Sequence, residues 1–383
     1  MKKAVRFLIT LFLISLTLIL PIHAEEAAGE GLEPVPDELQ GLLDILPQEL
    51  LERLPRSIFS KDSTELSSGT QEMADFSYLM QAVLETVGLS IAPCAKMLAM
   101  ISGILLLSAV CNAIKGSFRA NGIGRAFSFL SSLVILITIL AKGYQSIHSV
   151  TEYFTTLTSI TKALIPLMGG LYAMGGNVTA AVASATGLSL FLTVMQEIIA
   201  KSILPFCGIC MAFALMRALD PALRLGTLSD TLKKNYTTFI AFLMMLLSAM
   251  LAAQTTLGAG SDSLAMRSAK FAASTMIPVV GGSVSDLLRT VSTGVGYLRG
   301  TVGICAVMLL ILTVLPTLIE LLLVRLTWQI CASLADLLGC DTEKKLLDEM
   351  ASLNGYLITA VAICASVVIL SCSLLIHCTS ALA

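Results

Sequence analysis

Charge is scarce in this chain: of 383 residues only 13% are Asp, Glu, Lys or Arg, and the formal net charge is −2. An ordinary soluble domain carries about a quarter charged residues, so that class is excluded. The near-neutral balance, with no basic patch interleaved with aromatics, excludes a nucleic-acid-binding surface. Tryptophan occurs once, as Trp328, and histidine three times, as His23, His148 and His377. Three scattered histidines build neither a metal site nor a catalytic triad. The chain lacks a Gly-rich phosphate loop ending in Lys-Ser/Thr, a Gly-x-Ser-x-Gly elbow and a His-Glu-x-x-His helix. Intramembrane proteolysis by an aspartyl mechanism would need paired Asp inside spans, and the predicted spans hold none. The sequence predicts a protein that is not an enzyme and takes no cofactor or metal.

Apolar surface is what the chain has in abundance: 56% of residues are hydrophobic and the mean hydropathy is +0.87. All ten cysteines lie in or beside apolar runs. They read as small hydrophobes at helix contacts, not as a disulfide framework. Cys207-Gly208-Ile209-Cys210 has redox or metal spacing, but without a second pair or a His cluster it reads as packing.

The N-terminus begins Met1-Lys2-Lys3, adds Arg6, and continues as an apolar run from Phe7 to Leu20 before Pro21-Ile22-His23-Ala24 and Glu25-Glu26. A basic start, a short apolar core and a small residue before an acidic turn predict a signal peptide over 1–24. The bulk of Ile22 leaves an uncleaved anchor as the alternative. Residues 25–88 form an acidic extracytoplasmic segment. Within it Leu39, Leu42, Leu43, Leu46, Leu50, Leu51 and Leu54 recur at helical spacing, punctuated by Pro47 and Pro55, which predicts short amphipathic helices. Lys61 to Gly69, rich in Ser and Thr, reads as a linker.

From residue 89 to 383 the expected fold is all-α, a polytopic membrane helical bundle. Spans of bilayer length are predicted at about 89–113, 126–147, 188–215, 237–258, 301–325 and 356–378. Within this bundle an apolar unit occurs twice, as Ile165-Pro166-Leu167-Met168-Gly169-Gly170 and, 112 residues on, as Ile277-Pro278-Val279-Val280-Gly281-Gly282. Proline removes a backbone donor and paired glycine permits close approach or positive φ. The units therefore predict interrupted helices, which in a bilayer need shelter from protein or water and which mark transport sites when paired across two halves. Kinked helices packed through small residues are the plainer alternative. The stretches 125–170 and 237–282 align without a gap, which predicts divergent, parallel tandem repeats near 125–220 and 237–332. The distribution of basic residues puts residues 25–88 outside and Lys115, Arg119, Arg125, Arg217, Arg224, Lys233, Lys234, Arg325, Lys344 and Lys345 inside. His148 to Thr161 then fall outside, and 163–182 dips into the membrane and back; the alternative is that the Ile-Pro-x-x-Gly-Gly segments cross fully, which moves Arg267 and Lys270 inside and the loop 217–236 outside.

Two charges inside one span stand out. Glu197 and Lys201 are four residues apart, on one helical face, in the favourable order for an ion pair. A lone charge at the bilayer centre costs about 2.5–3.5 kcal/mol on insertion scales, so charged groups there face protein or water. The pair could line a polar path or simply neutralise itself. Glu320 and Arg325 read as a snorkelling pair, and Gln196 and Asn177 as polar linings. Residues 326–355 alternate in charge around Leu334, Leu337, Leu338, Leu346 and Leu347, which predicts an interfacial amphipathic helical pair with a solvated face. Trp328 is placed as an interface anchor.

A leader, an acidic arm with Ile45-Leu46-Pro47 and Arg53-Leu54-Pro55, and a bundle with two Ile-Pro-x-x-Gly-Gly units resemble the stage III sporulation protein AE family. The stretches Ser159–Pro166 and Met168–Gly176 carry the likeness most. The resemblance implies a multi-pass protein of the mother-cell membrane surrounding the forespore of endospore-forming bacteria. It implies partners too: other stage III sporulation membrane proteins, a cytoplasmic ATPase and a forespore membrane protein, in a channel or secretion-like assembly. The family defines no functional residues to carry over. The candidates for a pathway or for packing are Glu197, Lys201, Pro166, Gly169, Gly170, Pro278, Gly281 and Gly282. The remaining readings are an independent ion-coupled secondary transporter and a structural scaffold.

Overall fold

A computed structural model describes residues 48–52, 54–60, 63–117, 123–174, 178–219, 226–243, 245–246, 249–250 and 281–380. The signal-peptide segment, most of the leucine-rich arm and the second unit up to residue 280 lie outside them. The described residues are helical, without strands. A short α1 (Gln48–Leu51) and a 3-10 turn (Arg56–Phe59) precede α2 (Ser63–Ala74). Then come α3 (Phe76–Ser117), α4 (Ile123–Met174), α5 (Val178–Leu219), α6 (226–243), α7 (Gly281–Leu337) and α8 (Asp341–Ser380). Four stretches are long and apolar enough to cross a membrane: Ser77–Val110, Thr193–Met216, Thr301–Leu337 and Asp341–Ile369. With 57 residues, α7 is about 86 Å long at 1.5 Å per residue, against a hydrocarbon core of about 30 Å.

Side-chain contacts fix the direction of each helix. Thr161 meets Gln196 and Gly143 lies beside Met211, so α4 and α5 are antiparallel. Gly143 also faces Met350 and the Tyr153 hydroxyl donates to the Val361 carbonyl at 3.5 Å, so α4 and α8 run the same way. Asn354 Nδ2 donates to the Leu321 carbonyl at 3.0 Å and Lys344 pairs with Asp336 at 2.6 Å, which makes α7 and α8 an antiparallel hairpin. Lys233 meets Glu349 and Thr237 meets Tyr356, so α6 runs with α8 and therefore against α5, whose Phe206 stacks over the Tyr236 ring at 3.9 Å. Cys305 lies near Thr70 and Cys94 near Thr327, and Ser108 reaches Glu343 just past the end of α7, which sets α2 and α3 alongside α7 in the same sense. Hence α3, α5 and α7 run one way and α4, α6 and α8 the other.

The α7–α8 hairpin is the hub of the packing. Its turn is closed by Gly339 at φ +68, with Cys340 N–H bonded to the Ala335 carbonyl at 2.9 Å and Gly339 N–H to the Asp336 carbonyl at 3.1 Å. This Schellman arrangement needs a left-handed residue, which glycine supplies without strain. Asp341 and Glu343 then sit in the first turn of α8, where the helix dipole favours anions.

Several expectations are corrected. Lys61–Gly69 is not a linker: α2 begins at Ser63, Leu66 and Met73 are buried, and Gly69 packs against Ser57 and Ile58. Its hydroxyls bond the helix's own carbonyls, Ser68 to Glu65 at 2.8 Å and Thr70 to Leu66 at 2.7 Å, so polar composition misleads there. Residues 326–355 are two helical arms with a buried and an exposed side, as expected, but continuous with α7 and α8 and joined by the turn between them. His148 to Thr161 form the middle of the continuous helix α4, beside the apolar windows of α5 and α8. Of residues 163–182, those up to Met174 end α4 and those from Val178 begin α5.

Candidate functional site

The sequence places a helix interruption at Ile165–Gly170, and the structure does not show one. α4 is continuous from Ile123 to Met174, with Pro166, Gly169 and Gly170 inside it. A single proline costs a helix one hydrogen bond, and in a packed bundle neighbours make good the loss; α3 with Pro93, α5 with Pro205 and α7 with Pro316 show the same tolerance. Pro278 lies outside the described residues, and Gly281 and Gly282 open α7. The two units are therefore not seen together as one site.

Glu197 and Lys201 do pair. Lys201 Nζ is 2.7 Å from Glu197 Oε1, with the side chains 76% and 54% exposed respectively. The pair stands on the outer surface of α5, inside its apolar window, next to exposed Val194 and Ile198. One residue earlier, Gln196 is buried on the opposite face and donates to Thr161 Oγ1 at 3.1 Å. Its carbonyl oxygen has no hydrogen-bond partner among the described residues. Asn177 lies outside them.

Glu320 and Arg325 do not pair. Five residues put them about 140° apart around a helix of 100° per residue. The Arg325 guanidinium packs over Gly355 of α8, where an added Cβ would lie 3.1 Å from its Cζ. Glu320 instead lies within electrostatic range of Lys142 and Glu152 on α4. Trp328 is not an interface anchor: it is 1% exposed, in the core between α4, α5 and α8. There it lines a cavity of about 20 Å³ with Ser146, Cys207, Met211, Met350 and Asn354. That volume holds about one water molecule.

Sequence reasoning missed the polar contacts at the end of the bundle that carries the α7–α8 turn. Lys233 of α6 forms an ion pair with Glu349 of α8, the side chains only 11% and 15% exposed. Ser108 of α3 donates to the buried Glu343 carboxylate at 2.9 Å. Charge alternation over 341–349 looks like a solvated face because spacing alone does not reveal that Glu343 and Glu349 point at other helices. The cysteine reading fares better. Cys94, Cys207, Cys210, Cys305, Cys331, Cys340 and Cys364 are all free thiols, and all but Cys94 are buried. Among the described residues no group of three His, Cys, Asp or Glu side chains is placed to hold a metal ion.

Comparison with known proteins agrees with the architecture. The sequence profile of Stage III sporulation protein AE matches residues 59–379. The chain belongs to the stage III sporulation protein AE family. A curated relative, stage III sporulation protein AE of Bacillus subtilis (strain 168), is 23% identical over 301 residues, covering 79% of this chain and 73% of its own. No solved structure matches. The family takes its name from a sporulation stage, not from a reaction, and the four apolar helices fit a sporulation protein of a membrane.

Proposed function

We propose that this chain is the membrane-embedded permease or platform subunit of a multi-protein, secretion-like channel complex that links mother cell and forespore during endospore formation. It sits in the mother-cell membrane around the forespore. Its partners are other stage III sporulation membrane proteins, a forespore membrane protein and a cytoplasmic ATPase that supplies the energy. Family membership supports the setting. The observation that carries the role is the exposed Glu197–Lys201 pair on an apolar helix: charges at that depth require water or protein against them, which a lone bundle in lipid does not provide. A divergent parallel duplication belongs to the same proposal, since α5 and its counterpart stretch in α7 share one direction, as such a repeat requires.

A scaffold role has its own support, because α4 runs unbroken through Ile165–Gly170 and the core cavity beside Asn354 is water-sized. Sporulating cells carrying Glu197→Gln with Lys201→Met separate the readings. Co-purification with partners kept but small-molecule passage into the forespore lost supports the permease; both kept leaves the scaffold. Solute uptake by the purified chain alone in liposomes would replace both with an independent ion-coupled transporter.

A further inference from the structure

Between Gln145 and Lys162, α4 has a face whose composition contradicts its surroundings. Lys142, Gln145, His148, Glu152, Thr155, Ser159 and Lys162 follow at intervals of three or four residues, one stripe along the helix. Every exposed residue from 145 to 162 is polar. The opposite face, with Val150, Tyr153, Phe154, Leu157 and Ile160, is buried in the bundle. The stripe runs about 30 Å at 1.5 Å per residue, the thickness of a hydrocarbon core.

Its depth follows from its neighbours. Gly143 lies against Met211 and Met350, Tyr153 bonds to the Val361 carbonyl, and Thr161 bonds to Gln196. Residues 143–161 of α4 therefore stand level with 196–211 of α5 and 350–361 of α8, inside the apolar windows Thr193–Met216 and Asp341–Ile369. If these windows span the bilayer, so does the stripe. Facing acyl chains, the cost of one intramembrane charge would be met at Lys142, Glu152 and Lys162 alike. A protein partner is the weaker occupant. Most of the charged groups already have partners within the chain, Lys142 Nζ on Gln145 Oε1 at 2.9 Å, His148 Nδ1 beside Glu152 at 3.6 Å, and Lys201 on Glu197. From Gln145 to Lys162 the face also offers no large apolar side chain to anchor a partner.

We infer that this face of α4, continued by Glu197 and Lys201 on α5, is wetted at membrane depth and forms one wall of an aqueous path, bounded elsewhere by other subunits. The inference rests on the chain being a membrane subunit, as proposed above. It is tested on the full chain in membranes of sporulating cells, with single cysteines at Gln145, Thr155 and Ser159 and controls at the same depth at Ile209 and Leu322. The probe is a membrane-impermeant charged methanethiosulfonate, read over the background of the parent chain. Because a thiol must be ionised and solvated to react, labelling at the three stripe positions is expected to be at least about tenfold faster than at the controls. Equal rates overturn the inference: all fast means that this level lies in bulk water, all slow that the face is covered. Co-purification of the same variants with partner proteins reads the subunit proposal separately.

Discussion

α4 and α8 run side by side in the same direction, touching at Gly143 with Met350 and at Tyr153 with Val361, yet they present opposite characters. Of the apolar window of α8, 78% is buried, and none of its residues from 350 to 369 is exposed. α4 buries one side only and shows Lys, Glu, Gln, Ser and Thr on the other. A helix apolar all round is the core of its bundle, and one with a polar stripe stands at a boundary. Hydropathy averaged over a helix hides this distinction; the neighbours of each residue reveal it.

The sharpest way to break the comparison is one substitution made on both helices. Val361→Lys in α8 places a charge among fully buried side chains and is expected to cost about 3–5 kcal/mol, as an uncompensated buried charge does. Thr155→Lys on the exposed face of α4 is expected to change stability by less than about 0.5 kcal/mol. Thermal unfolding of the two purified variants in detergent decides it; equal losses would mean that the α4 face is packed. Next in size is Lys233→Met, which takes the ammonium partner from Glu349 and is expected to cost about 2–3 kcal/mol, with most of it recovered when Glu349→Leu is added. A recovery absent from the double-mutant cycle would show that the pair does not tie α6 to α8.

At Gly143 α4 lies close against Met350 of α8 and Met211 of α5. A side chain there would overlap Met350 Cε and press on Met211 Sδ, so Gly143→Leu should cost about 1–3 kcal/mol by overpacking. Gly143→Ala should cost less, because the end of a methionine can swing aside. The smallest effect is expected from Glu197→Gln, with no measurable change in unfolding temperature, since the pair it breaks is exposed. A marked loss of stability there would place the α5 surface inside a packed contact.

Much of this was legible in residue order, and the exceptions share a cause. The apolar runs announced the helices, the i, i+4 spacing announced Glu197 with Lys201, and the setting of the cysteines announced their inertness. Each of those signals is local. Trp328 gives no local sign of which way it faces, and only its fit beside Met350 and Asn354 reveals a core residue. Glu343 and Glu349 find partners on α3 and α6 more than 100 residues away in sequence. The α4 stripe was open to view in its spacing of three and four. It is missed because Lys, His and Glu between apolar runs suggest a loop, when the same residues form one side of an unbroken helix.

Pro316 gives the longest helix a consequence of its own. It cannot donate a backbone hydrogen bond, so the Leu312 carbonyl loses its usual partner within α7, at a point where Leu312 and Val314 are buried. Elsewhere the rod resists flexing by an intact ladder. Along α7 this is the point where the backbone ladder itself resists bending least, and the packing of Leu312 and Val314 is what holds the helix straight there.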